Sequence, residues 1–303
     1  MIDTTVNLGK LIFKNPVLVA SGTFGYGDEC LDLIDVSKFG GIVTKSLSLK
    51  PRNGNPPPRL VETSSGMLNS IGLANIGVEK FISEKLPVLR KFNTKIVVNI
   101  AGGTIEEYEE ILKRLEDQDG IDGYEINISC PNVREGGLSF GTKCETTAEI
   151  TRRIRKLTKK TLIIKLTPNV TRISEFAHAV AEEGADAVSL INTLVGMAVD
   201  INTRKPKLST VTGGLSGPAI KPVALAKVYE VASSVQIPII GIGGIMNASD
   251  AIEFLLVGAT AVQIGTANFI DPATGIDVLN GIIEFCEKHS LLSVRELIGA
   301  MQT

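Results

Sequence analysis

Between positions 127 and 132 the chain reads Asn-Ile-Ser-Cys-Pro-Asn, a thiol set between two carboxamides. A thiol can act as nucleophile or base, and carboxamides both donate and accept hydrogen bonds. The pattern therefore suits a planar ligand rich in amide-like groups, with Cys130 as the reacting group and Asn127 and Asn132 as the readers. A cysteine after a strand also serves as a small buried hydrophobe, and the segment alone leaves both uses open. The apolar run Tyr124-Glu-Ile-Asn-Ile128 precedes it, which places the thiol where an α/β barrel carries its chemistry, at the carboxyl end of a strand.

Stepping along the rest of the chain, short runs rich in Val and Ile recur at 17–20, 41–45, 96–100, 123–128, 162–166, 187–191, 239–241 and 261–265. Segments of helical periodicity at 78–89, 105–115, 145–158, 174–183, 221–233, 248–256 and 276–288 alternate with them. Thr104 stands three residues before Glu107, the spacing of a capping box. Strands apolar on both faces and alternating with helices predict an α/β fold with a closed parallel sheet, a (β/α)8 TIM barrel. Residues 5–13 read as a hairpin turning at Leu8-Gly9-Lys10 that closes the barrel bottom. Three long loops, 46–77, 129–143 and 192–220, leave strand carboxyl ends, and long loops in compact folds tend to be functional. The pair Gly136-Gly137 fits a lid hinge or a static turn.

At those strand ends stand Ser21-Gly22, Lys45-Ser46, Asn99, Asn127, Lys165, Asn192-Thr193, Gly243-Gly244 and Gly265-Thr266. A lysine leaving an apolar strand is a salt-bridge partner or a snorkelling side chain, but two entering one mouth call for an anionic ligand. The glycine-rich pieces Thr212-Gly-Gly-Leu-Ser-Gly-Pro218, Gly241-Ile-Gly-Gly244 and Gly265-Thr266 fall late in the chain. Glycine loops there are turns or phosphate sites, and barrels often bind phosphate after their seventh and eighth strands. With Lys165, they point to a phosphorylated cofactor lying over the barrel centre.

Composition narrows the partners. The 303 residues are 44% hydrophobic, enough for the core of one barrel domain spanning 1–303. With 31 basic against 33 acidic residues, there is no electrostatic reason to expect nucleic acid or an anionic membrane surface. No apolar run approaches the roughly 18 residues of a membrane span, and no leader is legible, so a soluble cytoplasmic protein is expected. Cys30, Cys130, Cys144 and Cys286 are dispersed, without metal-ligand or iron–sulfur spacing. His178 and His289 sit in helical patterns beside charged residues and read as solvated.

Along nearly its whole length the chain resembles the dihydroorotate dehydrogenases, FMN enzymes that oxidise dihydroorotate to orotate in pyrimidine synthesis. The segments that carry the resemblance are Ala20-Ser-Gly-Thr-Phe-Gly25, Thr44-Lys-Ser46, Gly54-Asn-Pro56 with Pro58-Arg59, Asn69-Ser-Ile-Gly-Leu-Ala-Asn75, the Asn127 to Asn132 stretch, Lys165-Leu-Thr-Pro-Asn169, Ile191-Asn-Thr193, 213–218, Gly241-Ile-Gly-Gly244 and Gly265-Thr266. Cysteine at 130, with no amino-terminal extension, is similar to the soluble class 1 enzymes. Asn192-Thr-Leu-Val-Gly-Met197 and the 212–222 stretch resemble class 1B, the NAD-linked form, more than the fumarate-dependent class 1A.

The resemblance implies one FMN per chain, held by Ser21, Lys45, Ser46, Asn99, Asn127, Lys165, Ile191, Gly217, Gly243, Gly244, Gly265 and Thr266. It implies a substrate site of Lys45, Asn69, Ser70, Ile71, Gly72, Leu73, Asn127, Asn132, Asn192 and Thr193. Cys130 is then the base that takes the C5 proton, and Lys165 lies at the N1/C2 edge of the flavin, where negative charge develops on reduction. Since the chain shows neither a cluster framework nor a dinucleotide fingerprint, class 1B membership implies an electron-transfer subunit carrying FAD and a 2Fe–2S cluster. Two copies of each chain would form a heterotetramer around a homodimer of this one. The competing readings are a flavin barrel for another pyrimidine, which would prefer uracil to orotate, and a flavin-free phosphate-binding isomerase, which leaves the asparagines and Cys130 unexplained.

Overall fold

Strands that are apolar on both faces need cover on both, and here they find it by closing on themselves. The computed structural model describes residues 1–128 and 140–302. An antiparallel hairpin, β1 (Val6–Leu8) and β2 (Leu11–Phe13), comes first. Its turn holds Gly9 at φ +61°, a left-handed conformation that glycine adopts without strain. Leu11 and Phe13 reach the first residues of two barrel strands: a Cβ on Gly123 would lie 3.7 Å from Leu11, and one on Gly41 only 2.6 Å from Phe13. The expected hairpin therefore covers the amino-terminal end of the barrel.

The chain continues through β3 (Val17–Val19) and β4 (Gly41–Val43), an excursion β5 (Leu60–Thr63) and β6 (Gly66–Asn69), then β7 (Lys95–Ile100), β8 (Gly123–Asn127), β9 (Thr161–Lys165) and β10 (Ala187–Leu190). A second excursion holds β11 (Leu194–Met197), β12 (Val199–Asp200), β13 (Lys205–Pro206) and β14 (Thr212–Ser216), before β15 (Ile239–Ile242) and β16 (Ala261–Ile264). The strands β3, β4, β7, β8, β9, β10, β15 and β16 close in that order into a parallel barrel. All eight expected strands are present, and the fold is the (β/α)8 TIM barrel.

The excursions differ from the sequence reading, which treats 46–77 and 192–220 as loops. They pair instead into an antiparallel sheet, β11-β14-β6-β5, with Leu68 opposite Leu215 and Asn69 opposite Gly214. Three of its four strands contain glycine and all are largely half-buried or exposed, so they lack the continuous apolar run or clean alternation that marks a strand in sequence.

The helix Ile105–Glu116 begins as expected, with Thr104 accepting a hydrogen bond from the Glu107 backbone N–H at 3.2 Å. The helical stretch from 78 to 89 is broken in the middle by a π turn, Phe81–Lys85. Between β3 and β4 the chain makes only short 3₁₀ turns, Asp28–Cys30 and Val36–Lys38. Among the described residues no helix is long and apolar enough to cross a membrane.

The packing also sets the end of β8. Tyr108, buried on the helix Ile105–Glu116, donates its hydroxyl to the Asn127 carbonyl at 2.8 Å. Tyr108→Phe removes that hydrogen bond and should destabilise the protein by about 1 kcal/mol, read as a lower urea midpoint at unchanged slope.

Candidate active site

At the carboxyl end of the barrel lies a cavity of about 380 Å³, walled on one side by the antiparallel sheet. Successive strand ends supply Ser21, Lys45, Ser46, Asn127, Lys165, Ile191, Gly243, Gly244, Gly265 and Thr266. The second excursion adds Asn192, Thr193 and Gly217, and the first adds Asn69, Ile71, Gly72 and Leu73. Residues as far apart as Ser21 and Thr266, 245 positions, thus meet because parallel strands all end on one face.

The asparagines are linked to their surroundings. Asn192 Nδ2 donates to Asn127 Oδ1 at 3.4 Å, while Asn192 Oδ1 accepts the Thr193 N–H at 2.8 Å. Asn69 Nδ2 donates to the Gly214 carbonyl at 3.3 Å, tying the cavity edge to the sheet. Gly72 and Leu73 both take left-handed φ values, +73° and +56°. Asn75 braces that turn from behind, donating to the Leu73 carbonyl and to Ser48 Oγ, each at 2.7 Å.

Lys165 forms the floor. It is 5% exposed, and its Nζ donates to Ser21 Oγ at 3.1 Å and to Glu125 Oε1 at 3.4 Å. Glu125 is two residues before Asn127 on β8, so both face the barrel interior. Higher in the cavity, burial pushes the Lys45 ammonium below the ordinary lysine value; Arg59 adds to this and Glu29 opposes it. Lys45, Arg59 and Lys165 all line the cavity, a concentration of positive charge suited to an anion. On the far wall Thr266 Oγ1 donates to Ser216 Oγ at 2.9 Å, beside Gly217, Gly244 and Gly265.

A sequence model of the dihydroorotate dehydrogenase family matches residues 3–286. The chain belongs to the dihydroorotate dehydrogenase family. It is 53% identical over 301 residues to the dihydroorotate dehydrogenase B (NAD(+)) catalytic subunit of Geotalea uraniireducens, covering 99% of each chain. It is 54% identical over 300 residues to the Pelobacter propionicus protein of the same name, again covering 99% of each, and 53% identical over 302 residues to that of Bacteroides thetaiotaomicron, covering all of both. The crystal structure of DHODH from Eimeria tenella in complex with ferulenol superposes with a TM-score of 0.84 at 22% identity, covering 98% of this chain and 88% of that one. The shared feature there is the fold.

Within this dihydroorotate dehydrogenase barrel, the residues expected from sequence converge on the one cavity with few exceptions. Asn99 is wholly buried and does not line it; its Nδ2 donates to Glu125 Oε1 at 2.6 Å. Ser70 is also buried and off the lining. Cys130 and Asn132, with the Gly136-Gly137 pair, lie outside the described residues. Sequence reasoning assigned no role to Arg59, Ser216 or Glu125. The first two lie inside segments that carried the resemblance, and Glu125 could have been found as a lone carboxylate in a strand read as buried on both faces.

The lowered Lys45 value has a consequence for anion binding. An anion needs the protonated amine, so affinity is full below the lowered value and is lost as pH rises through it, before the ordinary lysine value near 10.5. The affinity of the cavity for a small carboxylate anion, measured calorimetrically, should start to fall at a lower pH than an ordinary lysine would give. Lys45→Arg, which stays charged, should remove that early fall.

Proposed function

We propose that this chain oxidises (S)-dihydroorotate to orotate as the catalytic subunit of an NAD-linked dihydroorotate dehydrogenase, acting as one FMN-binding domain over 1–303. The observation that carries the reading is the single cavity in which Lys45, Asn69, Asn127, Asn192 and Lys165 meet, in a chain more than half identical over its full length to NAD(+)-linked catalytic subunits.

The cavity has features that fit FMN. Lys45, Arg59 and Lys165 along its walls and floor suit an anionic cofactor, and Asn127 offers both a donor and an acceptor to a flavin ring. A Cβ on Gly265 would meet only Ala20, at 3.8 Å, so this wall is open to close approach by a ligand. Ser216, Thr266 and the neighbouring glycines would hold the phosphate, and Lys165 the N1/C2 edge of the ring. Bound FMN would supply the two-electron acceptor, at N5, for the hydride leaving C6 of the substrate.

The remaining work falls to the chain's own residues. Asn69, Asn127, Asn192 and Thr193 offer donors and acceptors for the ring amides, with Asn132 as a further candidate, and Lys45 offers a cation for the carboxylate. Cys130 takes the C5 proton. An ordinary thiol has a pKa of about 8.5, so the thiolate fraction, and with it the rate of flavin reduction, should rise with pH across the neutral range. Electrons then pass to NAD through a partner subunit with FAD and a 2Fe–2S cluster. Two copies of each chain make a cytoplasmic heterotetramer, with this chain as the central homodimer.

The decisive experiment is anaerobic. Dihydroorotate mixed with the purified, FMN-supplemented chain should bleach the oxidised flavin band, and NAD added to this chain alone should not restore it. Bound FMN that dihydroorotate does not bleach would overturn the reading. Cys130→Ala should keep its FMN yet lose roughly 100- to 10,000-fold in reduction rate. Asn127→Ala and Asn192→Ala should each weaken orotate binding by about 1 kcal/mol, and unchanged affinity in both would remove the asparagines from the substrate site.

A further inference from the structure

Directly beneath Lys165 is a carboxylate that no part of the reaction above uses. Glu125 is completely buried in the barrel interior. Four donors surround it. Oε1 accepts Asn99 Nδ2 at 2.6 Å and Lys165 Nζ at 3.4 Å; Oε2 accepts Ser189 Oγ at 2.7 Å and Gln263 Nε2 at 2.9 Å. The donors stand on β7, β9, β10 and β16, so the carboxylate is gripped from several directions and cannot follow Lys165 if the lysine moves. Donors on both oxygens are what an ionised carboxylate requires, and a protonated one would waste at least one of them. Burying such a group in an apolar barrel is costly unless it is paired and hydrogen-bonded throughout.

We propose that Glu125 is a positioning residue: its buried carboxylate holds the Lys165 ammonium at the cavity floor and sets the net charge that the floor presents to a flavin bound above it. The proposal rests on the FMN reading. With Glu125 in place, the floor is an ion pair whose far field is that of a dipole. Without it, the floor is a bare cation in a low-dielectric site, which favours the electron-rich form of the cofactor more strongly. Glu125 thus limits how tightly the site retains the two electrons that a downstream acceptor must remove. Ser21, the other partner of Lys165 Nζ among the described residues, is neutral and fixes direction without altering that charge.

The test is the midpoint potential of FMN in the reconstituted chain, read by equilibration with a reference dye. In Glu125→Gln the shape is kept and the charge removed. The equilibrium between oxidised and two-electron-reduced cofactor should move toward reduction at least about tenfold, a positive shift of about 30 mV. Ser189→Ala removes one donor and leaves the carboxylate less neutralised, so its potential should move the opposite way, by less. A potential in Glu125→Gln that is unchanged or more negative overturns the proposal, because a purely structural carboxylate would alter stability and leave the potential alone. If Glu125→Gln does not fold, Ser189→Ala decides, and an unchanged or more positive potential there overturns it. A wild-type chain that takes up no FMN overturns the flavin reading, and this proposal with it.

Discussion

A lysine and a glutamate in the interior of a parallel barrel stay charged only if each supplies what water no longer can. Glu125 and Lys165 meet that condition together, with Asn99, Ser189 and Gln263 taking up the rest of the carboxylate's acceptor capacity. Removing one member of a buried pair typically costs about 3–5 kcal/mol, because the other is left uncompensated. The pair therefore constrains the barrel as well as the site. Asn127 lies beside Lys165 in the strand register, and Lys165 reaches Ser21 across the mouth.

Above the floor, the cavity depends on a second constraint. A plain barrel mouth is open to water, and the electrostatics of a small anion or a flavin would be weak in it. The sheet β11-β14-β6-β5 provides a wall, and it is assembled from two excursions that start at different barrel strands. Asn69 joins them through the Gly214 carbonyl, and Asn75 fixes the left-handed turn at Gly72 and Leu73 from the opposite side. Asn69 and Asn192 thus hold backbone as well as lining the cavity, whereas Asn75 holds backbone behind it. The division is chemical: a carboxamide can satisfy a carbonyl with one end and leave the other for a ligand.

Much of this was legible beforehand. The eight barrel strands follow from Val- and Ile-rich runs buried on both faces, and the hairpin from Leu8-Gly9-Lys10. Thr104 marks the start of its helix because a side-chain oxygen three residues before Glu107 meets an orphan backbone donor. The site residues at strand ends were legible for the same topological reason: once the strands are parallel and closed, their carboxyl ends must share a face. The antiparallel sheet was not legible. Its partners are far apart in sequence, and half-buried glycine-rich strands leave no periodic signal. Asn99 and Ser70 were placed with the lining because both stand in segments that reach the cavity, yet their side chains turn into the packed interior.

The amino-acid sequence by itself determined the barrel, its order of strands and the chemical types gathered at its mouth, because periodicity and residue type are local properties carried by each segment. Only the tertiary structure decided how those types are used. It paired Lys165 with Glu125, which stand forty residues apart on neighbouring strands. It built the cavity wall from two excursions and lowered the Lys45 ammonium through burial. Charge compensation and desolvation depend on distances between side chains remote in sequence, and those distances exist only once the barrel has closed.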